Sequence, residues 1–237
     1  MAPWREQSVF TFLCDLGRSA RVGSTKPMKN IITEFTGTLL FVLSIALAVA
    51  HAGPLAPLAI GAALMCVVYM GGHISGGHYN PAVTLAVLLR GKIATGEALQ
   101  YVAAQVGGAV AAAWLAAGVT GTAFVAAPDP AASLSAVLTV EIAFTFMLAL
   151  VVLNVATDDA VSGNSFYGLA IGFTIVVAAF AGGSVSGGAF NPAVGIGPAL
   201  AAVGRASIGH TWVYAVGPFV GGALAALVYN LQHPQEQ

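Results

Sequence analysis

Long apolar runs broken by short polar or glycine-proline segments dominate the chain. Six of them, at about 31–50, 55–70, 98–119, 134–155, 166–181 and 211–231, approach or reach the length of ~20 residues that carries a helix across a ~30 Å hydrocarbon core. The breaks include Gly53-Pro54, Pro128-Asp129-Pro130 and Thr157-Asp158-Asp159. Two further runs are shorter. One follows Asn80 (PAVTLAVLL) and stops at Arg90-Gly91-Lys92; the other follows Asn191 and reaches about Val203, before Gly204-Arg205. Ten helical residues cover roughly 15 Å, half of that core. The pattern predicts an all-α membrane protein with six full spans and two half spans.

Composition supports that solvent. Hydrophobic residues make up 58% of the 237 and charged residues 7%, against about 25% charged in a typical soluble domain, which leaves too little polar surface to face water all round. A net charge of −1 excludes a nucleic-acid partner. Residues 1–30 form a polar tail holding five of the eight basic residues, Arg5, Arg18, Arg21, Lys26 and Lys29. It does not read as a cleaved signal peptide, because the apolar run that follows has spanning length. The body is one domain, 31–231, with halves at about 31–125 and 134–231 and a short tail, 232–237, after it. Cys14 and Cys66 lie too differently to suggest a disulfide, and they offer no metal site.

The halves share one motif. Residues 72–83 read GHISGGHYNPAV and residues 183–194 read GSVSGGAFNPAV, identical at eight of twelve positions and 111 positions apart. Glycine pairs admit positive φ and close backbone approach. Asparagine is a favoured N-cap, and proline suits the first helical position, where its missing N–H costs nothing. Each copy is therefore a glycine loop that enters a half-helix capped at Asn80 or Asn191. Glu34 and Glu141, in the first span of each half, are the two carboxylates well inside spanning runs.

Three spans per half is an odd number, so the second half enters the membrane inverted. In this topology the tail, Arg90 and Lys92 fall on one side with seven of the eight basic residues, leaving Arg205 opposite; both termini are then expected in the cytoplasm. Inversion brings the two half-helices in from opposite faces, with Asn80 and Asn191 meeting near the midplane. Irregular backbone at that depth is tolerated where protein buries it or where it lines a polar path. The carbonyls of Gly76, Gly77, His78, Gly187, Gly188 and Ala189 would line such a path, with the two asparagine amides donating at its centre. Two opposed helix N-termini, each about half a positive charge, repel cations and favour a neutral solute.

These residues carry a family resemblance. The doubled Asn-Pro-Ala segments (Asn80, Pro81, Ala82; Asn191, Pro192, Ala193), HISGGHYNPAVT, the paired glutamates and GPFVGG in the last span resemble the aquaporins and aquaglyceroporins. The resemblance implies six helices around two re-entrant half-helices, a homotetramer with one pore per subunit, and a passive channel in the plasma or cytoplasmic membrane. It implies water or small neutral solutes such as glycerol, urea or ammonia as passengers, and no cofactor. Glu34 and Glu141 would then brace the loops by accepting hydrogen bonds, the alternative being a proton relay.

By position the family's selectivity filter falls on Ile60, Ala179, Gly188 and Val194. The arginine usual after the second motif is absent, as are the histidine and aromatic of water-selective relatives, so a wider, less water-selective pore is expected. Markers of the glycerol branch are absent too, at Gly195 and Ala199, while Tyr214 keeps an aromatic expected of water channels and Ala215 does not keep its partner. His73 and His78 read as loop scaffolding; His73, near the mouth, could alternatively sense pH. Inverted repeats with broken helices also build secondary transporters, and a closed-pore structural protein is a further reading. No nucleophile–base pairing or metal set supports an enzyme.

Overall fold

The computed structural model describes residues 26–203 and 209–234. Most of the polar tail, with Arg5, Arg18, Arg21 and Cys14, lies outside the described residues, as do Gly204, Arg205 and residues 235–237. Among the described residues eight α-helices follow in order: α1 (Lys26–His51), α2 (Ala56–Ser75), α3 (Pro81–Leu89), α4 (Thr95–Thr120), α5 (Leu134–Ala156), α6 (Tyr167–Ser186), α7 (Pro192–Ala201) and α8 (Val213–Gln232). Short 3-10 turns at Gly53–Leu55 and Asp159–Val161 bend the chain after α1 and after α5. Among the described residues six helices are long and apolar enough to cross a membrane, and α3 and α7 are the two short ones.

The expected spans hold, with differences at their ends: α1 begins at Lys26, inside the segment expected as polar tail, and α2 and α6 end later than expected. α2 and α6 run past residues 70 and 181 to Ser75 and Ser186, because the glycines there continue the helix instead of ending it. What stops both is the left-handed turn at Gly76 (φ 93°) and Gly187 (φ 85°), whose amides bond back to Gly72 O and Gly183 O. The added turn on each helix brings Ser75 and Ser186 to the start of the loops.

Packing repeats the duplication. α1 lies on α2 and α4 as α5 lies on α6 and α8, and α2 meets α6 across the centre. Each half-helix packs on the third span of the other half, α3 on α8 and α7 on α4. Small residues allow the close crossings: a Cβ at Gly108 would strike the Phe35 carbonyl, and one at Gly221 the Ile142 carbonyl. Large apolar side chains such as Met28, Trp114, Phe173 and Leu231 cover the outside, as lipid contact requires.

Candidate pore

The two loops have nearly superimposable backbones. Gly76, Gly77 and Tyr79 take φ 93°, 63° and 48°; Gly187, Gly188 and Phe190 take 85°, 67° and 49°. A large residue at positive φ is unusual and needs its surroundings to hold it. Tyr79 is held in a slot whose walls are the glycine faces of Gly37 and Gly71, where a Cβ would overlap its ring or its hydroxyl. Phe190 stacks edge-on to Phe144, with ring centres 5.7 Å apart.

Asn80 and Asn191 begin α3 and α7. Each side-chain oxygen accepts the amide two residues on, from Ala82 and Ala193, both at 2.9 Å. Each side-chain nitrogen crosses to the other loop, Asn80 Nδ2 to Phe190 O at 3.0 Å and Asn191 Nδ2 to Tyr79 O at 2.9 Å. Pro81, Ala82, Pro192 and Ala193 are buried behind them as the first turns of the half-helices. An amide nitrogen carries two hydrogens, so each asparagine keeps one beyond this exchange.

Both glutamates are fully buried and reach the loops. Glu34 accepts from Ser75 Oγ (2.7 Å), His78 N (3.0 Å), Tyr79 N (2.7 Å) and Gln105 Nε2 (2.8 Å). Glu141 accepts from Ser186 Oγ (2.7 Å), Ala189 N (3.1 Å) and Phe190 N (2.8 Å). Tyr101 and Tyr214, buried on α4 and α8, donate to Ser75 O and Ser186 O at 2.7 and 2.6 Å. Gln105 also donates to Thr84 Oγ1 (3.0 Å), which lies 3.1 Å from His78 Nδ1. The second half has no such chain, because Ala189, Gly195 and Pro218 stand where the first half has His78, Thr84 and Gln105. Sequence reading passed over Gln105, Thr84, Tyr101 and the two serines. The equal distances of the serines and the near-equal distances of the tyrosines from Asn80 and Asn191 were the signal that could have found them.

A cavity runs past both asparagines. Its polar wall comes from Gly77, His78, Asn80, Gly188, Ala189 and Asn191, and its apolar wall includes Phe41, Leu64, Leu148 and Ile175. It offers about 30 Å³ to water-sized molecules, and one water needs ~10–15 Å³ by that measure. Ile60, Ala179 and Gly188 line it; Val194 is buried on α7 and is not on its wall. Gly76 instead faces two roomier chambers, of about 320 and 370 Å³, on the face where α1 begins, and Gly187 turns towards Ala127 and Tyr214. His73 stands in the first of those chambers. Among the described residues no three His, Cys, Asp or Glu side chains gather as metal ligands, and Cys66 is exposed on α2.

On the same face a charged cluster joins three segments. Arg90 sits 4.6 Å above the Tyr229 ring, Tyr229 stacks on His233 with ring centres 4.2 Å apart, and His233 Nε2 lies 3.2 Å from Asp158 Oδ2. The Ala160 N–H, and behind it the Tyr229 hydroxyl with the His233 and Arg90 side chains, hold the Asp158 carboxyl below its ordinary range. Lys92 and Asp159 approach within 3.9 Å.

Six spanning helices closing round two half-helices whose capped ends meet inside the bundle define a multi-pass membrane channel. The model of the major intrinsic protein family matches residues 21–229, and the chain belongs to that family. It is 38% identical over 209 residues to glycerol uptake facilitator protein-like 6 of Lactiplantibacillus plantarum, covering 84% of this chain and 95% of that one. It is 37% identical over 231 residues to aquaporin NIP1-1 of Zea mays, covering 92% and 79%. The X-ray structure of the aquaglyceroporin from Plasmodium falciparum shares its fold, with a TM-score of 0.78, 24% identity, and coverage of 89% and 98%. The chain is thus an integral membrane protein of a family of channels for water or small solutes, not of enzymes.

Proposed function

We propose that this chain is a passive channel for water and small neutral solutes of the glycerol, urea and ammonia kind, through a pore centred on Asn80 and Asn191. The observation that carries this reading is the cavity past both asparagines, in which loop groups and the asparagine amides face an apolar wall. A solute there exchanges some water contacts for loop carbonyls and for the remaining hydrogen on each asparagine. An ion gains no charged partner for the hydration it sheds, and two helix N-termini oppose a cation.

Glu34 and Glu141 act as braces in this reading, because each accepts three or four short bonds and donates none. The four filter positions Ile60, Ala179, Gly188 and Val194 supply no fixed charge. The excess of basic residues supports cytoplasmic termini in a plasma or cytoplasmic membrane, and the family supports a homotetramer.

The test is stopped-flow light scattering on proteoliposomes under sucrose, glycerol and urea gradients, with a pH dye for ammonia. Wild type is compared with empty liposomes and with Ala179→His, which adds a donor on the cavity wall. Flux above empty liposomes with a low activation energy supports a channel, and Ala179→His should lower glycerol passage more than water. Saturable, ion-coupled flux would instead make the protein a transporter.

A further inference from the structure

The internal duplication allows the two ends of the cavity to be compared residue by residue. Positions 111 apart correspond in α2, α6 and the loops, as Ser75 and Ser186 or Asn80 and Asn191 do; positions 107 apart correspond in α1 and α5, as Glu34 and Glu141 do. One end of the cavity is walled by Ile45, Ile60, Ala179 and Ala189. Their counterparts are Val152, Ile171, Val68 and His78, and all four of these also line the cavity.

The second set borders two roomier chambers. Val68 and Ile171 are the side chains common to the cavity and to the 320 Å³ chamber. His78 and Val152 are those common to the cavity and to the 370 Å³ chamber. The two chambers share Gly76, Ala156, Thr157 and Asp159, so they are lobes of one vestibule on the face where α1 begins. A passage between a vestibule of this size and the 30 Å³ cavity crosses the four shared side chains.

Residue size then decides which end is tighter. Val68 replaces alanine and His78 replaces alanine, Ile171 matches Ile60, and Val152 is smaller than Ile45 by one methylene. Two substantial enlargements against one small reduction make this the narrower end. His78 is fixed in place: its Nδ1 is engaged with Thr84 and its ring lies edge-on to Tyr101, 5.2 Å between centres. Val194 is meanwhile off the cavity wall, which leaves the opposite end with three of its four filter positions.

We propose that size selection in this channel occurs at a neck formed by Val68, His78, Val152 and Ile171, and not at the ring of Ile60, Ala179, Gly188 and Val194. The proposal rests on the channel reading above and refines its substrate class. Three walls of the neck are apolar and the fourth is one imidazole, so a solute crossing it keeps about one hydrogen bond to the protein. Solutes near the size of water, ammonia included, cross readily; urea and glycerol are retarded.

The experiment is the same proteoliposome assay, scored as the ratio of urea or glycerol permeability to water permeability. Val68→Ala gives the neck the outer ring's residue and should raise that ratio about fivefold, and Ile171→Ala should act in the same direction. Val68→Leu should lower it. Ile60→Ala, the counterpart of Ile171→Ala, should raise it by less than either. If Val68→Ala does not fold, Ile171→Ala against Ile60→Ala decides the matter alone. The neck is overturned if Ile60→Ala raises the ratio as much as the neck variants, or if wild type already passes glycerol as fast as water; both leave a channel standing. If folded wild type and all variants match empty liposomes for every solute, the channel reading fails and the neck fails with it.

Discussion

Asn80 and Asn191 hold each other's loops: each donates one amide hydrogen to the carbonyl of the residue preceding the other, Phe190 O at 3.0 Å and Tyr79 O at 2.9 Å. The same side chains cap α3 and α7 through their oxygens. One residue type at one position therefore ends a loop, starts a helix and ties two repeats together.

Asn80→Ala removes a cap and leaves the buried Phe190 carbonyl without its donor, and Asn191→Ala does the same to Tyr79. Each should cost about 2–4 kcal/mol in thermal or denaturant unfolding in detergent. Because both bonds secure one loop–loop contact, the double variant should fall short of additive by ~0.5–3 kcal/mol. Additivity would mean that the loops are held independently.

Every partner of Glu34 and Glu141 is a donor, so an amide in place of either carboxylate turns at least one acceptor into a clash of N–H against N–H or O–H. Glu34→Gln should lower stability by about 2 kcal/mol or more, and by more than Glu141→Gln, since Glu34 also accepts from Gln105. Gln105→Leu should narrow the difference between the two. Unfolding of the three single variants and the two double variants checks it.

Gly71 faces the Tyr79 hydroxyl and Gly37 faces the Tyr79 ring. Gly71→Ala should cost about 1–3 kcal/mol through overpacking, and Tyr79→Phe should recover part of that by removing the atom it meets. Gly37→Ala should not be rescued by Tyr79→Phe, because there the clash is with the ring. Melting temperatures of the three single and two double variants separate the two cases.

Asp158 links the 157–166 turn to the end of α8 through His233. Its pKa is depressed on folding, so the stabilisation it provides is fully present above the unfolded carboxylate value of about 4 and is lost as pH falls through the lower folded value. Amide protection at residues 229–233, corrected for intrinsic exchange, should therefore hold from pH 7 to about pH 4 and drop below that. Asp158→Asn should show the reduced protection already at pH 7.

Much of this architecture is local and so was legible along the chain. Run length separates a full span from a half span, and Asn-Pro after Gly-Gly specifies where α3 and α7 begin, because capping depends on residues within one turn. The duplication itself carries the inversion, since an odd number of spans per half admits one outcome.

What lay beyond the sequence is contact between residues far apart in it. The exchange of bonds by the two asparagines spans more than a hundred positions, and Gln105 reaches Glu34 from another helix. Val194 was placed in the filter by counting, yet on α7, which packs on α4 and α8, it is buried and off the cavity wall. The pairing of Val68 with Ile171 follows from the crossing of α2 and α6, two helices apolar along most of their length. A helix apolar all round does not encode which side faces a partner and which faces lipid. That choice is made when the small residues of the bundle let particular backbones approach, which is a property of the assembled packing.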